Sequence, residues 1–375
     1  MPQHFFIKAF LFCLVVLQFV NPLIADTFTY LNREGKEVTI EARLAGSGKL
    51  IPTNPECFAL EMANGTIRII PQGLITKRVL GKDPKPISHK EMAEEIKQTF
   101  PNRRLLIQIA KPYVIGMVLS DEKHSKRSLK LRKKQLKKSG KYFLSVQKKF
   151  LKFIRKTRVK TEPIKYPLPV LIFEDDNDFE QYATLITQQK GLSAKNIAGF
   201  YDAGRNYLNL RIRECKTFET PLHEAIHQQT FNRKVLQRLA PVPAWFIEGI
   251  ACGFEGDGEN IRSGPRTPRR SYAKVSLQAR AVDWKEIIQR DRAFRGDIFA
   301  GEAYGHAWGV HWILVTRHKK KYAKYLKLLS TKKTLEVYSA EDRLKDFEEI
   351  MGADTNKLQQ QFQKNVIFAL NKRRN

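Results

Sequence analysis

Hydrophobic and polar positions change period several times along the chain, and each change marks a predicted element. An apolar run from Ala9 to Val20 follows Lys8 and leads into Asn21-Pro22-Leu23-Ile24-Ala25. It is short for a bilayer span and ends on a small residue, the pattern of a secretory signal over residues 1–25, with an uncleaved anchor as the alternative. Alternating or β-branched runs at Thr27–Tyr30, Lys36–Ile40 and Ile67–Ile70 predict strands, separated by turns at Asn32–Gly35, Gly46–Gly48 and Asn64-Gly65. Residues 26–85 therefore read as a small β-module of SH3-like size, either a structural appendage or a surface for a peptide or envelope component.

A linker rich in Pro and Lys (Gly81–Pro86) follows. Leu129, Leu136, Phe143 and Phe150 then recur seven apart, as in an amphipathic helix, with a break predicted at Ser139-Gly140. Residues 86–165 are expected to form this linker and a basic helical segment. Leu168–Phe173 predicts a strand, and Asp175–Asp178 offers caps for a helix after it. Gly199–Asp202 and Asn206–Leu210 predict a hairpin turning at Ala203-Gly204-Arg205. Apolar helices dominate thereafter and end in a closing pair over Phe347–Ala369. The expectation is an α+β chain with its main folded domain over residues 166–375.

The 375 residues carry 67 Lys or Arg against 38 Asp or Glu, a formal charge of +29. Much of the excess lies between Lys126 and Lys160, where 16 basic residues stand with no acidic one. Such a run either holds anionic envelope polymer or membrane head groups, or is a solvated helical face whose Lys stems cover apolar surface. No aromatic platform or nucleic-acid motif accompanies it, and an exported chain seldom meets DNA, so no nucleic-acid partner is expected. Cys13 lies in the signal. The remaining Cys57, Cys215 and Cys252 are too few and odd in number for a disulfide framework, so free thiols are expected over a Cys215–Cys252 pair.

The candidate chemistry begins at Thr220-Pro221-Leu222-His223-Glu224-Ala225-Ile226-His227. Thr220 is the predicted N-cap and Pro221 the first helical residue. His223 and His227 fall at i and i+4, so both imidazoles leave one face about a turn apart and can grip one tetrahedral zinc ion. Glu224 stands where it can take a proton from a water on that metal. A third ligand is expected from Pro243–Ala251, an apolar helix with the single carboxylate Glu248 in its middle, because a buried carboxylate is costly unless paired or bound to a metal. Cys252, one turn beyond, is a weaker candidate, since two His and one Glu already complete the set.

H-E-x-x-H followed by W-F-x-E-G-x-A resembles the gluzincin zinc metallopeptidases, and in particular the compact peptidase-MA-like group. Pro243, Trp245, Glu248, Gly249, Ala251, Phe254 and Glu255 all match that group's second string. The resemblance covers residues 166–375. It implies a mainly helical domain with a small sheet, one edge strand of which borders the cleft and can pair with an extended substrate. It implies Zn2+ held by His223, His227 and Glu248, with Glu224 as general base. Tyr304, opening the Y-x-x-A-W segment, is then the oxyanion donor, with His306 and His311 as rivals and a packed core stripe as the plain alternative. Many gluzincins carry an acid four residues after the glutamate ligand to orient a zinc-bound His. Cys252 occupies that place here, and Glu255 is the substitute.

These readings predict an exported hydrolase, a periplasmic, cell-envelope or secreted protease acting on a polypeptide or peptide. The alternatives are a zinc-binding relative without turnover, and a cationic envelope-binding protein acting through Lys126–Lys160. The intact Glu224 argues against the first.

Overall fold

The structure, a computed structural model, describes residues 25–50, 53–187, 197–255, 261, 264–278, 282–295 and 300–372. Residues 1–24 of the expected signal segment lie outside them, as do residues 256–260 and 262–263. No helix among the described residues is long and apolar enough to cross a membrane. The fold is α+β, as expected.

A five-stranded mixed sheet is the platform. Its order is β10 (Gly199–Asp202), β11 (Tyr207–Arg211), β9 (Leu168–Phe173), β8 (Tyr113–Val118) and β7 (Leu105–Ala110). The outer pairs are antiparallel and the inner pairs, β8 with β9 and β9 with β11, are parallel. Parallel neighbours need a crossover. The one between β8 and β9 is α2 (Lys126–Arg155), the basic helix.

This corrects the expected division at residue 166. Residues 105–155 are neither linker nor free-standing segment. They supply two strands and the crossover helix of the same sheet, because β8 and β9 are buried along their whole length and can only sit inside it. Nor does α2 break at Ser139-Gly140. Both residues are buried inside the helix, and a Cβ on Gly140 would lie 3.1 Å from the Ala110 Cβ, so the glycine lets α2 approach β7 closely. The seven-residue pattern is sound: Leu136, Phe143 and Phe150 enter the core.

The two sheet faces are covered differently. On one lie α1 (His89–Thr99) and α3 (Asp176–Thr187), packing Met92, Ile96 and Phe179 on Val114, Leu171 and Phe173. On the other lie α2 and α4 (Glu219–Asn232), which open a larger core continuous with α5 (Ala244–Phe254), α6 (Arg270–Gln278), α7 (Trp284–Gln289), α8 (Ala300–Arg317), α9 (Lys319–Ser330), α10 (Ala340–Met351) and α11 (Thr355–Lys372). The last two are the closing helix pair. Helix α6 was not anticipated. Cys57, Cys215 and Cys252 are free and buried.

Residues 27–79 form two three-stranded sheets. One is β2 (Glu37–Glu41), β1 (Thr27–Leu31) and β6 (Ile75–Val79); the other is β3 (Arg43–Gly48), β4 (Cys57–Glu61) and β5 (Ile67–Pro71). Phe28, Ala42 and Leu60 fill the space between them. The predicted turn at Gly46–Gly48 is instead the end of β3. A Cβ at Gly46 would meet the Thr334 carbonyl oxygen at 2.6 Å, so the glycine marks a docking contact against the helical side of the protein.

That joint carries a buried ion pair. Arg238, just past α4, donates to Glu61 on β4 at 2.5 Å and to the Gly65 carbonyl at 2.6 Å, while Arg43 donates to the other Glu61 oxygen. Burial pushes the Glu61 carboxyl up, but Arg238 and Arg43 outweigh it and bring it down to about 2. A carboxyl whose folded value is depressed stabilises the fold above its unfolded value and loses that contribution as pH falls through the folded one. Glu61→Gln should therefore cost about 3 kcal/mol at neutral pH, because two guanidinium groups lose their buried partner. In denaturant unfolding of both proteins, that difference should shrink as pH falls from 4.5 toward 2. A pH-independent gap would refute the ionic origin.

Candidate metal centre

Helix α4 begins earlier than Thr220 predicts, and for a tertiary reason. Its cap is Phe218, in the left-handed region at φ 62°, without a side-chain capping bond. Phe218 is held from outside: its ring lies 4.2 Å from that of Tyr142 on α2, and the Tyr142 hydroxyl donates to its carbonyl at 3.0 Å. Pro221 falls in the first turn, where a missing N–H leaves nothing unsatisfied. Thr220 donates instead to Glu214 at 3.3 Å. Further along, Gln228 donates to the Pro169 and Asn206 carbonyls and Gln229 to the Tyr113 hydroxyl. These bonds tie the helix to the sheet beneath, so its rotation is set before any ligand is considered.

With that rotation, His223 and His227 leave the same face, their ring centroids 4.7 Å apart. They are only 9 % and 7 % exposed. Helix α5 brings Glu248 against both: its Oε2 is 2.9 Å from His223 Nε2 and 3.4 Å from His227 Nε2. The approach depends on Gly249. A Cβ there would stand 2.7 Å from the Ala307 carbonyl oxygen of α8, so any larger residue would push α5 off its seat.

Glu255, at the end of α5, reaches the other side of the same imidazole, with Oε1 2.5 Å from His223 Nδ1. It fills the orienting place that Cys252 leaves open. Glu255 is itself held by Tyr272 of α6, whose hydroxyl donates to Oε2 at 2.6 Å. Tyr272 escaped sequence reasoning; only its place on an unanticipated helix connects it with the site. Cys252 lies close by, and His223, Cys252 and Glu255 form a second group that can hold a metal, sharing His223 with the first. Burial lifts the Cys252 thiol to about 12, which makes the thiolate a poor competitor as a ligand.

The electrostatics suit a cation. Burial pushes the His223 imidazole down, but hydrogen bonds with Cys252, Glu248 and Glu255 outweigh it and hold the ring well above the ordinary histidine range. Burial likewise pushes Glu248 up, and His227 and His223 outweigh it, holding its carboxyl well below the usual value. A positive charge is thus favoured where the three donor atoms converge. His223, His227 and Glu248 offer atoms all within 4.8 Å of one another, a set that can hold a metal ion. Ligands of a tetrahedral metal with bonds near 2.0–2.1 Å stand about 3.3 Å apart, close to the separations around Glu248 Oε2. The donor set fits.

Two more predicted residues reach this place. Glu224, half-buried, accepts a hydrogen bond at 2.8 Å from the Tyr201 N–H of the edge strand β10, and burial raises its carboxyl while His223 and His227 oppose that. Tyr304, on α8, lies with its ring centroid 6.1 Å from that of His223. Its hydroxyl is raised well above the normal tyrosine value, first by the Glu248 charge and then by burial.

The two rivals of Tyr304 are elsewhere. His306 Nδ1 accepts from Trp284 Nε1 at 3.1 Å, and His311 Nε2 lies 3.0 Å from the Tyr322 hydroxyl, both inside the helical core. Burial brings His311 down to about 3, so it is a neutral packing group.

Glu255→Gln should weaken metal binding roughly tenfold to a hundredfold, since it removes the charge that orients a ligand histidine. Competition against a chromophoric chelator, with circular dichroism checking the fold, measures this. Tyr272→Phe should act in the same direction and less strongly. An unchanged affinity in Glu255→Gln would show that the carboxylate only packs.

Residues 217–336, the stretch from the start of α4 to just past α9, match a protein family described as "Protein of unknown function (DUF1570)". That stretch contains His223, Glu224, His227, Glu248, Glu255, Tyr272 and Tyr304. No curated protein matches the chain.

Proposed function

We propose that the protein is an exported zinc-dependent metallopeptidase of gluzincin type, hydrolysing peptide bonds in a polypeptide or peptide. The observation that carries this reading is the convergence of His223, His227 and Glu248 with the Glu224 carboxylate beside them on the same helix. Two imidazoles and one carboxylate leave a tetrahedral ion a fourth position, the arrangement of a catalytic rather than a structural zinc site. Zinc bound there would polarise a carbonyl and acidify a water.

The protein's own residues supply the rest. The Tyr201 N–H holds one oxygen of Glu224, leaving the carboxylate's other oxygen to take a proton from the attacking water and return it to the leaving amine. Glu255 and Tyr272 hold the His223 ring in a fixed orientation. Tyr304 donates a hydrogen bond from its hydroxyl to the oxygen on which negative charge develops. Among the described residues β10 pairs only with β11, so an extended peptide can pair along its other edge beside Glu224.

Metal analysis of purified protein should find one zinc per chain in the wild type and none in His223→Ala or Glu248→Ala. Glu224→Gln should keep the zinc while hydrolysis of a peptide library falls roughly 10²–10⁴-fold. Tyr304→Phe should lose roughly 10²–10³-fold in kcat with zinc retained. Zinc-loaded wild type that cleaves nothing in the library, or Glu224→Gln that cleaves as fast as wild type, would defeat the mechanism.

A further inference from the structure

Helix α2 has two faces with different tasks. The inner one, from Leu136 to Ile154, is core. The outer one presents Lys130, Lys134, Lys137, Lys141, Lys148 and Lys152, all exposed and recurring at helical spacing. Twenty-two residues at 1.5 Å each make this a straight row about 33 Å long. No carboxylate forms an ion pair with any of the six among the described residues.

Stability does not account for the row. The helix carries 13 basic residues and no acidic one. Its first turn holds Lys126 and Arg127, where cations oppose the helix dipole. Like charges at i and i+4, as in Lys130 with Lys134 and Lys137 with Lys141, repel each other. An ordinary solvated face would alternate Glu with Lys and gain from both effects.

A second cationic cleft elsewhere makes the contrast. It is lined by Arg158, Lys234 and Lys327, which lie at the C-terminal ends of α2, α4 and α9. There the dipoles favour cations, and no ligand is needed to explain them. In the α2 row only Lys152, in the last turn, shares that explanation; the five lysines from Lys130 to Lys148 do not.

We propose that the outer face of α2 is a docking strip for a linear polyanion, a polymer bearing carboxylate or phosphate groups along its length. The shape selects a line rather than a plane of charge, and Leu144 is the one large apolar side chain well exposed in the middle of that face. At its far end the row runs into a cleft of about 220 Å³ where Lys149, Lys152, Lys156 and Arg266 converge beside Phe254. Phe254 directly precedes Glu255, so a polymer lying along α2 ends next to the helix that carries Glu248. The strip does not depend on whether the metal centre turns over a substrate.

The test uses the mature full chain and three probes: poly-L-glutamate, long-chain polyphosphate, and vesicles of phosphatidylglycerol with phosphatidylcholine. Two variants have equal net charge. One is Lys134→Gln, Lys137→Gln, Lys141→Gln and Lys148→Gln on the strip; the other is Lys319→Gln, Lys320→Gln, Lys324→Gln and Lys327→Gln on α9. Wild type should bind at least one of the two polymers, with affinity falling roughly tenfold or more as salt rises and screening shortens. The strip variant should lose roughly tenfold or more at low salt, and the α9 variant at most about threefold. Which polymer binds more tightly identifies the charged group. Equal losses in both variants, or no loss in the strip variant, would overturn the proposal in favour of diffuse net charge. Retention on vesicles without binding to either polymer would overturn it in favour of a lipid surface.

Discussion

A carboxylate in the middle of an apolar helix is expensive to bury, and the way this chain makes Glu248 affordable organises everything around it. Its oxygen must face two imidazoles, so α4 and α5 must cross at the level of His223 and His227. That crossing requires α8 to lie close behind α5, and Gly249 lets it do so. It also requires α4 to keep one rotation, which the bonds donated by Gln228 and Gln229 and the one the Phe218 carbonyl accepts from Tyr142 maintain. The charges at the centre are therefore held by packing several residues away from them.

The sheet and α2 are the other half of this arrangement. As a crossover helix, α2 must bury one face on the sheet and on α4, and Tyr142 is the residue through which it positions the start of the helix that carries His223 and His227. Its opposite face is then free of structural duty and carries charge that folding alone disfavours. One helix thus links the platform, the candidate centre and a strongly cationic surface.

The strands at the start of the chain are more than an appendage by contact. Glu61 reaches across to Arg238 immediately after α4, and β3 lies against Thr334 and Leu335 after α9. The module is thus anchored to the helical side at two places, just after α4 and just after α9.

The sequence by itself determined the local chemistry. His223, Glu224, His227 and Glu248 were legible because helical period puts i and i+4 on one face, and because a lone carboxylate in an apolar run demands a partner. The hairpin over residues 199–210 and the strand at 168–173 were legible from local alternation and turn residues. Only the tertiary structure decided the rest. The parallel pairing of β8 with β9 leaves no local signal, since parallel neighbours lie a whole crossover apart in the chain. Gly46 and Gly140 look like turn signals and are instead close contacts with residues far along the sequence. The cap of α4 is a buried Phe rather than the expected Thr, because Tyr142 of α2 fixes the Phe218 ring and carbonyl from outside, a contact between residues 76 apart that leaves no local signal. That Glu255 reaches His223 Nδ1 beside Cys252 was likewise a question of reach in three dimensions.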